Sequence, residues 1–264
     1  MSSELEYFFN KRTPQNLEKL KKHLSERNFV LFFLAKKQAG IGTYSKILRD
    51  VTNNKIVHIS VGDLIRDAEK ELKSDNKDQF VTKLKTFYKG KDTEEIIIEE
   101  LLGQSEGTIL LSTEVVIALL EMAIKENQDK SIIIDGFPRS QEQVALALKM
   151  QKDFEKKGIP SAFVEINCAE EILERRNIDR RICPVCQTPR NIKLLLTKEI
   201  EYDEKTGEFH LICENPQCSR ARYIQKQGDA QGLEQLKERQ KDVQSMIDHV
   251  KKCAPGLHIV VHNA

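Results

Sequence analysis

Two kinds of side chain in this sequence could do chemistry: thiols in pairs and arginines. Cys183-Pro-Val-Cys186 and Cys213-Glu-Asn-Pro-Gln-Cys218 make two knuckles with residues 187–212, 26 in all, between them. Four thiolates so spaced form a closed tetrahedral Zn²⁺ shell with no open position, which is a structural site and not a catalytic one. His210 lies between the knuckles, but four cysteines complete the shell without it. The arginines of interest are Arg66, Arg139, Arg176, Arg180 and Arg181. A guanidinium stays protonated and presents forked donors that match phosphate oxygens. Any one of them could equally be a surface ion-pair partner.

The elements that must position these groups are legible from the hydrophobic pattern. Phe29–Leu34, Ile56–Ile59, Ile132–Ile134, Phe163–Ile166 and Leu257–Val261 are short apolar runs, read as parallel strands buried on both faces. Helical patterns alternate with them. Thr13 and Pro14 open a helix bearing Leu17, Leu20 and Leu24, a surface element ahead of the main fold. Ser140 with Gln143 reads as a capping box, and Gly158 with Pro160 stops that helix. A last helix spans roughly Leu233 to Lys252, with Leu236, Val243, Ile247 and Val250 on one face. This order predicts a wound α/β domain with right-handed crossovers. Two regions interrupt it: a helical stretch from about Asp67 to Asn127, and a β-rich insert from about Ile182 to Arg222 that holds the paired cysteines.

The first strand runs into Ala35-Lys36-Lys37-Gln38-Ala39-Gly40-Ile41-Gly42-Thr43 and then a helix. Strand, loop and helix is the setting in which backbone N–H groups and a helix N-terminus hold phosphate. The usual loop begins with Gly and carries Lys after its last core Gly. Here Ala35 and Ile41 take those places, and Gln38 stands where tighter loops use Gly. By itself the segment could be an ordinary strand-to-helix turn.

Composition narrows the function. The 264 residues are 39% hydrophobic and 31% charged, and 42 Lys+Arg against 41 Asp+Glu leave a net charge of +1. That is enough apolar material for a core without disulfides, and too little net charge for bulk attachment to nucleic acid. The longest apolar run, Phe29–Ala35, is too short to span a bilayer, and the first ten residues lack a signal-peptide pattern. A soluble cytoplasmic protein is expected, and in a reducing compartment paired cysteines favour metal over disulfides.

Ile59-Ser60-Val61-Gly62-Asp63-Leu64-Ile65-Arg66 stands at the end of the second strand. Asp135-Gly136-Phe137-Pro138-Arg139 stands at the end of the third, with Gln143 one turn into the next helix. Arg176, Arg180 and Arg181 precede the cysteine insert. In order and spacing these segments resemble the adenylate kinases of the nucleoside-monophosphate kinase family, from about Phe29 onward. The resemblance implies an α/β, P-loop-type three-layer fold: a five-stranded parallel sheet, a helical monophosphate-binding insert and a small β-rich zinc lid. It divides the chain into an N-terminal helical extension (1–27), a core (28–66, 128–181 and 223–264), an enlarged monophosphate-binding segment (67–127) and the lid (182–222).

The resemblance also assigns roles. Ser60, Arg66, Gly136, Arg139 and Gln143 would hold the monophosphate nucleotide. Ala39, Gly40, Gly42 and Thr43 would hold the ATP phosphates. Asp63 and Asp135 would orient water around Mg²⁺. Arg139, Arg176, Arg180 and Arg239 would surround the phosphoryl group in transit, and Cys183, Cys186, Cys213 and Cys218 would hold Zn²⁺ in the lid. The implied reaction is reversible transfer of the γ-phosphoryl group of ATP to AMP or another nucleoside monophosphate. The implied protein is a monomer that uses neither membrane nor nucleic acid.

Three departures qualify those roles. Val61 stands where the family commonly has Thr. Lys226 is the one candidate for a further lid arginine, with Gly228-Asp229 near an expected acidic pair. Ile41 removes the loop lysine that normally reaches the β- and γ-phosphates. By analogy with one lost preorganised donor, that costs the transition state about 3–4 kcal/mol. Lys36 or Lys37 could swing an ammonium toward the β-phosphate instead. A second reading is therefore a non-catalytic protein that binds nucleotide, or a macromolecular partner through its zinc lid. A zinc-ribbon nucleic-acid module is disfavoured by the neutral charge and the lack of a stacking stripe.

In the insert, Lys193–Tyr202 and Glu208–Ile212 read as two strands around a turn at Asp203–Gly207. A hairpin that small needs metal for stability. Extra residues in the helical segment fall mainly between Glu71 and Thr108, and Phe80, Leu84, Phe87 and Ile96–Ile98 are expected to make an added core. Cys168 is placed at the end of the fourth strand, and neither it nor Cys253 suggests a nucleophile.

Overall fold

The computed structural model describes residues 14–103, 111–186, 188–193, 196–225 and 233–263, with backbone only for 233–239. Thr13, Thr108, Lys226, Gly228 and Asp229 lie outside the described residues. The chain forms two compact units, one of residues 1–35, 40–166 and 245–261, the other of 36–39, 167–244 and 262–264.

The first unit is built on a five-stranded parallel sheet of order β2-β3-β1-β4-β9. Its strands are β1 (Val30–Leu34), β2 (Ile56–Ser60), β3 (Ser131–Asp135), β4 (Ser161–Asn167) and β9 (His258–His262). Continuous apolar runs form these strands because both faces of the central ones are covered. Phe32 sits opposite Phe163 in the β1–β4 register, and their rings stack at 5.0 Å between centroids. Full burial of a phenylalanine contributes roughly 1.5–3 kcal/mol, so this pair anchors the sheet centre.

β9 departs from expectation. Ile259, Val260 and Val261 are 53%, 38% and 46% exposed among the described residues. The apolar run predicted a strand buried on both faces, but β9 is the outermost strand of the sheet, where covering elements end.

Around the sheet lie α1 (Pro14–Glu26), α2 (Ile41–Val51), α3 (Val61–Leu72), α4 (Lys77–Phe87), α5 (Glu94–Gly103), α6 (Thr113–Glu126) and α7 (Gln141–Lys156). Leu17 of α1 packs with Ile47 and Val51 of α2. Helices α3 to α6 share a core of Leu72, Val81, Leu84, Ile97, Leu101 and Leu119, with Phe80, Phe87 and Ile98 against it. This is the added core expected of the helical segment, except that Ile96 is 43% exposed. The capping box at α7 does not form: Ser140 makes no side-chain cap bond, and Gln143 reaches one residue further back, to the Arg139 N–H. Gly158 ends the region at φ +74°, a left-handed stop natural to glycine.

The second unit contains α8 (Glu170–Ile178), the short strands β5 (Arg180–Ile182) and β6 (Pro189–Asn191), and the hairpin β7 (Ile200–Asp203) with β8 (Glu208–Leu211). The first hairpin strand starts at Ile200, later than the expected Lys193; just ahead of it the Lys198 N–H donates to the Glu214 carboxylate. The helix α9 (Leu233–Cys253) enters the first unit at Ser245, where it buries Met246, Ile247 and Val250. No helix among the described residues is long and apolar enough to cross a membrane.

Candidate functional site

In the first unit the ends of β2 and β3 lie side by side, Ser60 opposite Asp135. Each continues through a glycine, and both glycines leave room for arginine. A Cβ on Gly136, which holds φ +82°, would sit 3.1 Å from Arg139 Nη2. A Cβ on Gly62 would meet Arg66 Nη1 at 3.6 Å and Arg139 Nη2 at 3.9 Å. The two guanidinium groups thus flank one small residue at the N-terminus of α3. Crowding by protein lowers the Arg139 pKa first, Asp135 opposes that shift, and the like charge of Arg66 adds to it. Arginine stays protonated through such shifts, so the like charges remain in place, an arrangement that an anion would relieve.

Neighbouring groups hold the pair. Arg66 forms a close ion pair with Asp63. Gln143, largely buried, accepts from the Arg139 N–H at 2.8 Å and donates through Nε2 to Thr113 Oγ1 at 3.3 Å. That fixes which way its amide faces. His58 Nε2 lies 3.2 Å from Asp135 Oδ2. Sequence reasoning passed over Thr113 and His58. Thr113 lies in the long helical stretch with no signal of its own, whereas His58 is a polar residue inside an apolar strand, which is the signal that could have found it. Asp63 and Asp135 supply hard oxygen donors suited to Mg²⁺ held through water; Asp135 ends β3 and Asp63 stands in the first turn of α3, both in this one unit.

The loop after β1 divides. Gly40, at φ +101°, precedes α2 in the first unit and its carbonyl accepts from the N–H groups of Thr43 and Tyr44 at 2.9 and 3.1 Å. A Cβ on Gly42 would meet nothing within 4 Å, so space rather than packing surrounds that residue. Ile41 sits at the start of the helix without a donor to offer. Ala39 is fully buried.

Residues 36–39 belong to the second unit, where α8 binds them through side chains. Gln38 has φ +75°, which costs a residue with a Cβ about 1–2 kcal/mol. Its Nε2 donates to Oδ1 of the buried Asn177 at 3.0 Å, and a bond of this kind contributes about 1 kcal/mol net. Arg176 Nη1 lies 3.4 Å from the Gln38 carbonyl oxygen and 3.8 Å from Cys168 Sγ. Lys36 Nζ is 2.8 Å from Glu170 Oε1, so here its ammonium is turned to a carboxylate. Asn263 Nδ2 donates to the Ala39 carbonyl at 2.7 Å. Arg180 is half-exposed at the start of β5. Arg239 lies on α9 with its side chain outside the described residues.

Farther along this unit, Cys183, Cys186, Cys213 and Cys218 place all four sulfurs within 4.8 Å of one another. Cys186 and Cys213 are 3.7 Å apart. Tetrahedral Zn–S bonds of about 2.3 Å set sulfurs about 3.8 Å apart, so the cluster fits that ion. Burial pushes the Cys186 thiol up, but hydrogen bonds from Thr188 and from Cys218 and Cys183 override it and bring it to about 6. Burial and the neighbouring thiols raise Cys218 to about 12. Burial raises Cys213 as well, and a bound cation would draw protons from the thiols of the cluster. His210 stands opposite Glu201 in the hairpin and is not among the clustered residues.

A family described as "AAA domain" matches residues 102–183. The adenylate kinases of Thermotoga petrophila and Thermotoga maritima are each 30% identical to the chain over 172 residues, 65% of this chain and 67% of theirs. The adenylate kinase of Petrotoga mobilis is 29% identical over 177 residues, 67% of this chain and 69% of its own.

Proposed function

The chain belongs to the adenylate kinase family, and on that premise we propose that it transfers the γ-phosphoryl group of ATP reversibly to AMP or another nucleoside monophosphate. The observation that carries this reading is the convergence of Arg66 and Arg139 on Gly62, beside Asp135. Phosphoryl transfer asks for alignment and for positive charge around oxygens that gain negative charge, with little covalent participation by protein.

In this reading Arg66 and Arg139 bind the acceptor's phosphate, and Ser60, Gly136 and Gln143 complete its site. Ala39, Gly40, Gly42 and Thr43 hold the donor's phosphates. Arg176, Arg180 and Arg239 join Arg139 around the group in transit. Asp63 and Asp135 would hold Mg²⁺ through water, and the ion supplies charge neutralisation at the phosphate oxygens. The four cysteines would hold Zn²⁺, which supplies folding energy to a lid (182–222) with a small core. The enlarged segment (67–127) covers the acceptor, the core (28–66, 128–181 and 223–264) carries the phosphate loop, and residues 1–27 extend it. Closure excludes water, which would otherwise take the phosphoryl group. The protein acts as a cytoplasmic monomer, where thiols stay reduced.

Ile41 favours a second reading, a protein of the same fold that binds nucleotide with little or no turnover. A coupled assay for ADP formed from ATP and AMP separates the two. ADP formation abolished by Arg139→Met supports transfer. No ADP, with tight calorimetric binding of a bisubstrate dinucleotide, leaves the second reading; neither turnover nor binding overturns both.

A further inference from the structure

Gln38 combines two features that a phosphate-holding loop does not require. It occupies a left-handed backbone position with a long side chain, and it spends that side chain on an amide–amide bond to Asn177 of α8. Arg176, the preceding residue of α8, points its guanidinium at the Gln38 carbonyl oxygen. The same four-residue stretch is held at two other points, Lys36 by Glu170 at the start of α8 and the Ala39 carbonyl by Asn263. Lys36, Gln38 and Ala39 are therefore all tied to the unit that carries Arg176, two of them to its helix and one to the chain's last residues. Glycine at 38 would relieve the backbone and remove the central tie.

We propose that Gln38 and Asn177 are a positioning pair: they lock the first half of the phosphate loop to α8, so that residues 36–39 and the Arg176 guanidinium hold one fixed relation. The pair acts through Arg176 and the loop backbone and touches no reacting atom. A lysine at the position of Ile41 would find phosphate by its own reach. Without it, donors must be held where phosphate will come, because preorganised donors need no reorganisation during the reaction. The proposal deepens the reading of this loop as the ATP-phosphate site and rests on that reading for its consequence in catalysis.

The physical link can be tested apart from the activity. Amide hydrogen exchange of residues 173–178 in the ligand-free protein reads the lock directly. Gln38→Gly and Asn177→Ala should each speed exchange there about tenfold, the loss expected from one buried hydrogen bond. The double variant should exchange no faster than either single one, since both remove the same bond. Asn177→Asp keeps the acceptor and should keep the protection. Unchanged exchange in both single variants, or effects that multiply in the double one, overturns the proposal.

The second readout is the ADP-forming assay. In the single variants kcat should fall about tenfold while KM for AMP stays within twofold, because the pair acts on the donor side. A fall in melting temperature with kcat unchanged would make the pair merely structural and overturn its positioning role. If the wild-type protein neither binds ATP nor forms ADP, the proposed function fails and with it the positioning role, whereas the exchange cycle still decides whether the lock exists.

Discussion

The two regions proposed to face phosphate are built on different principles. At the ends of β2 and β3 the backbone is permissive: Gly62 and Gly136 make room, and two guanidinium groups fill it with charge. In the first half of the loop the backbone is constrained: Gln38 takes a position suited to glycine, and side-chain bonds to Asn177, Glu170 and Asn263 hold the segment. One region relies on two clustered guanidinium groups, of which Arg66 is paired with Asp63. The other has lost the usual cation at Ile41 and relies on fixed geometry. A strand-to-helix loop can thus depart from its common sequence at several positions and still be a defined structure, because side-chain bonds hold it.

The strongest separation of the two regions should come from removing the metal. Chelation, or Cys213→Ser, should unfold the cysteine-bearing part of the second unit, because a structural zinc supplies on the order of 10 kcal/mol of apparent binding energy to such small elements. Mass spectrometry should find one zinc before treatment. Afterwards calorimetry should show ATP binding lost and AMP binding retained; equal loss of both would erase the distinction between the regions.

Arg139→Met attacks the other side. It should lower kcat/KM for AMP about a thousandfold, as expected when a charged, preorganised donor is lost, with ATP affinity unchanged by titration. Ile41→Lys should act in the opposite sense on the loop and raise turnover about a hundredfold. Turnover that stays flat in this variant would show that fixed geometry already replaces the missing charge.

The smallest effect lies at the far hairpin. Arg222 bonds Glu201 and Asp203 at 2.5 and 2.9 Å and holds both carboxyls below their ordinary pKa values. Groups lowered in the folded state stabilise it above their unfolded pKa, and that support disappears as pH falls through the folded values. Both carboxylates are partly exposed, so the effect is screened and modest. Acid below the usual carboxylate range should increase amide exchange in residues 200–211, Arg222→Ala should flatten that dependence, and nucleotide affinity at neutral pH should not change.

Much of this architecture could be read from residue types. Five apolar runs located five strands to within two residues, because a buried parallel strand has to be apolar on both faces. The pattern failed at β9, since a run of Ile and Val cannot reveal that its strand ends up outermost. Ser140 and Gln143 have the spacing of a capping box, yet the Gln143 amide bonds Arg139 and Thr113 instead. Thr113 is thirty positions away in sequence and was brought near only by the packing of α6. Four cysteines announced their cluster, because short knuckles leave little freedom in how thiols can meet.

Local chemistry along the chain determined the strands, the helical insert, the thiol pairs and which arginines stand at strand ends. Tertiary structure decided which guanidinium groups share a neighbour and where Gln38 spends its side chain. The bond from Gln38 to Asn177 spans 139 positions. A side chain's partner over such a distance depends on how α8 packs, and no periodicity or spacing in the sequence encodes that.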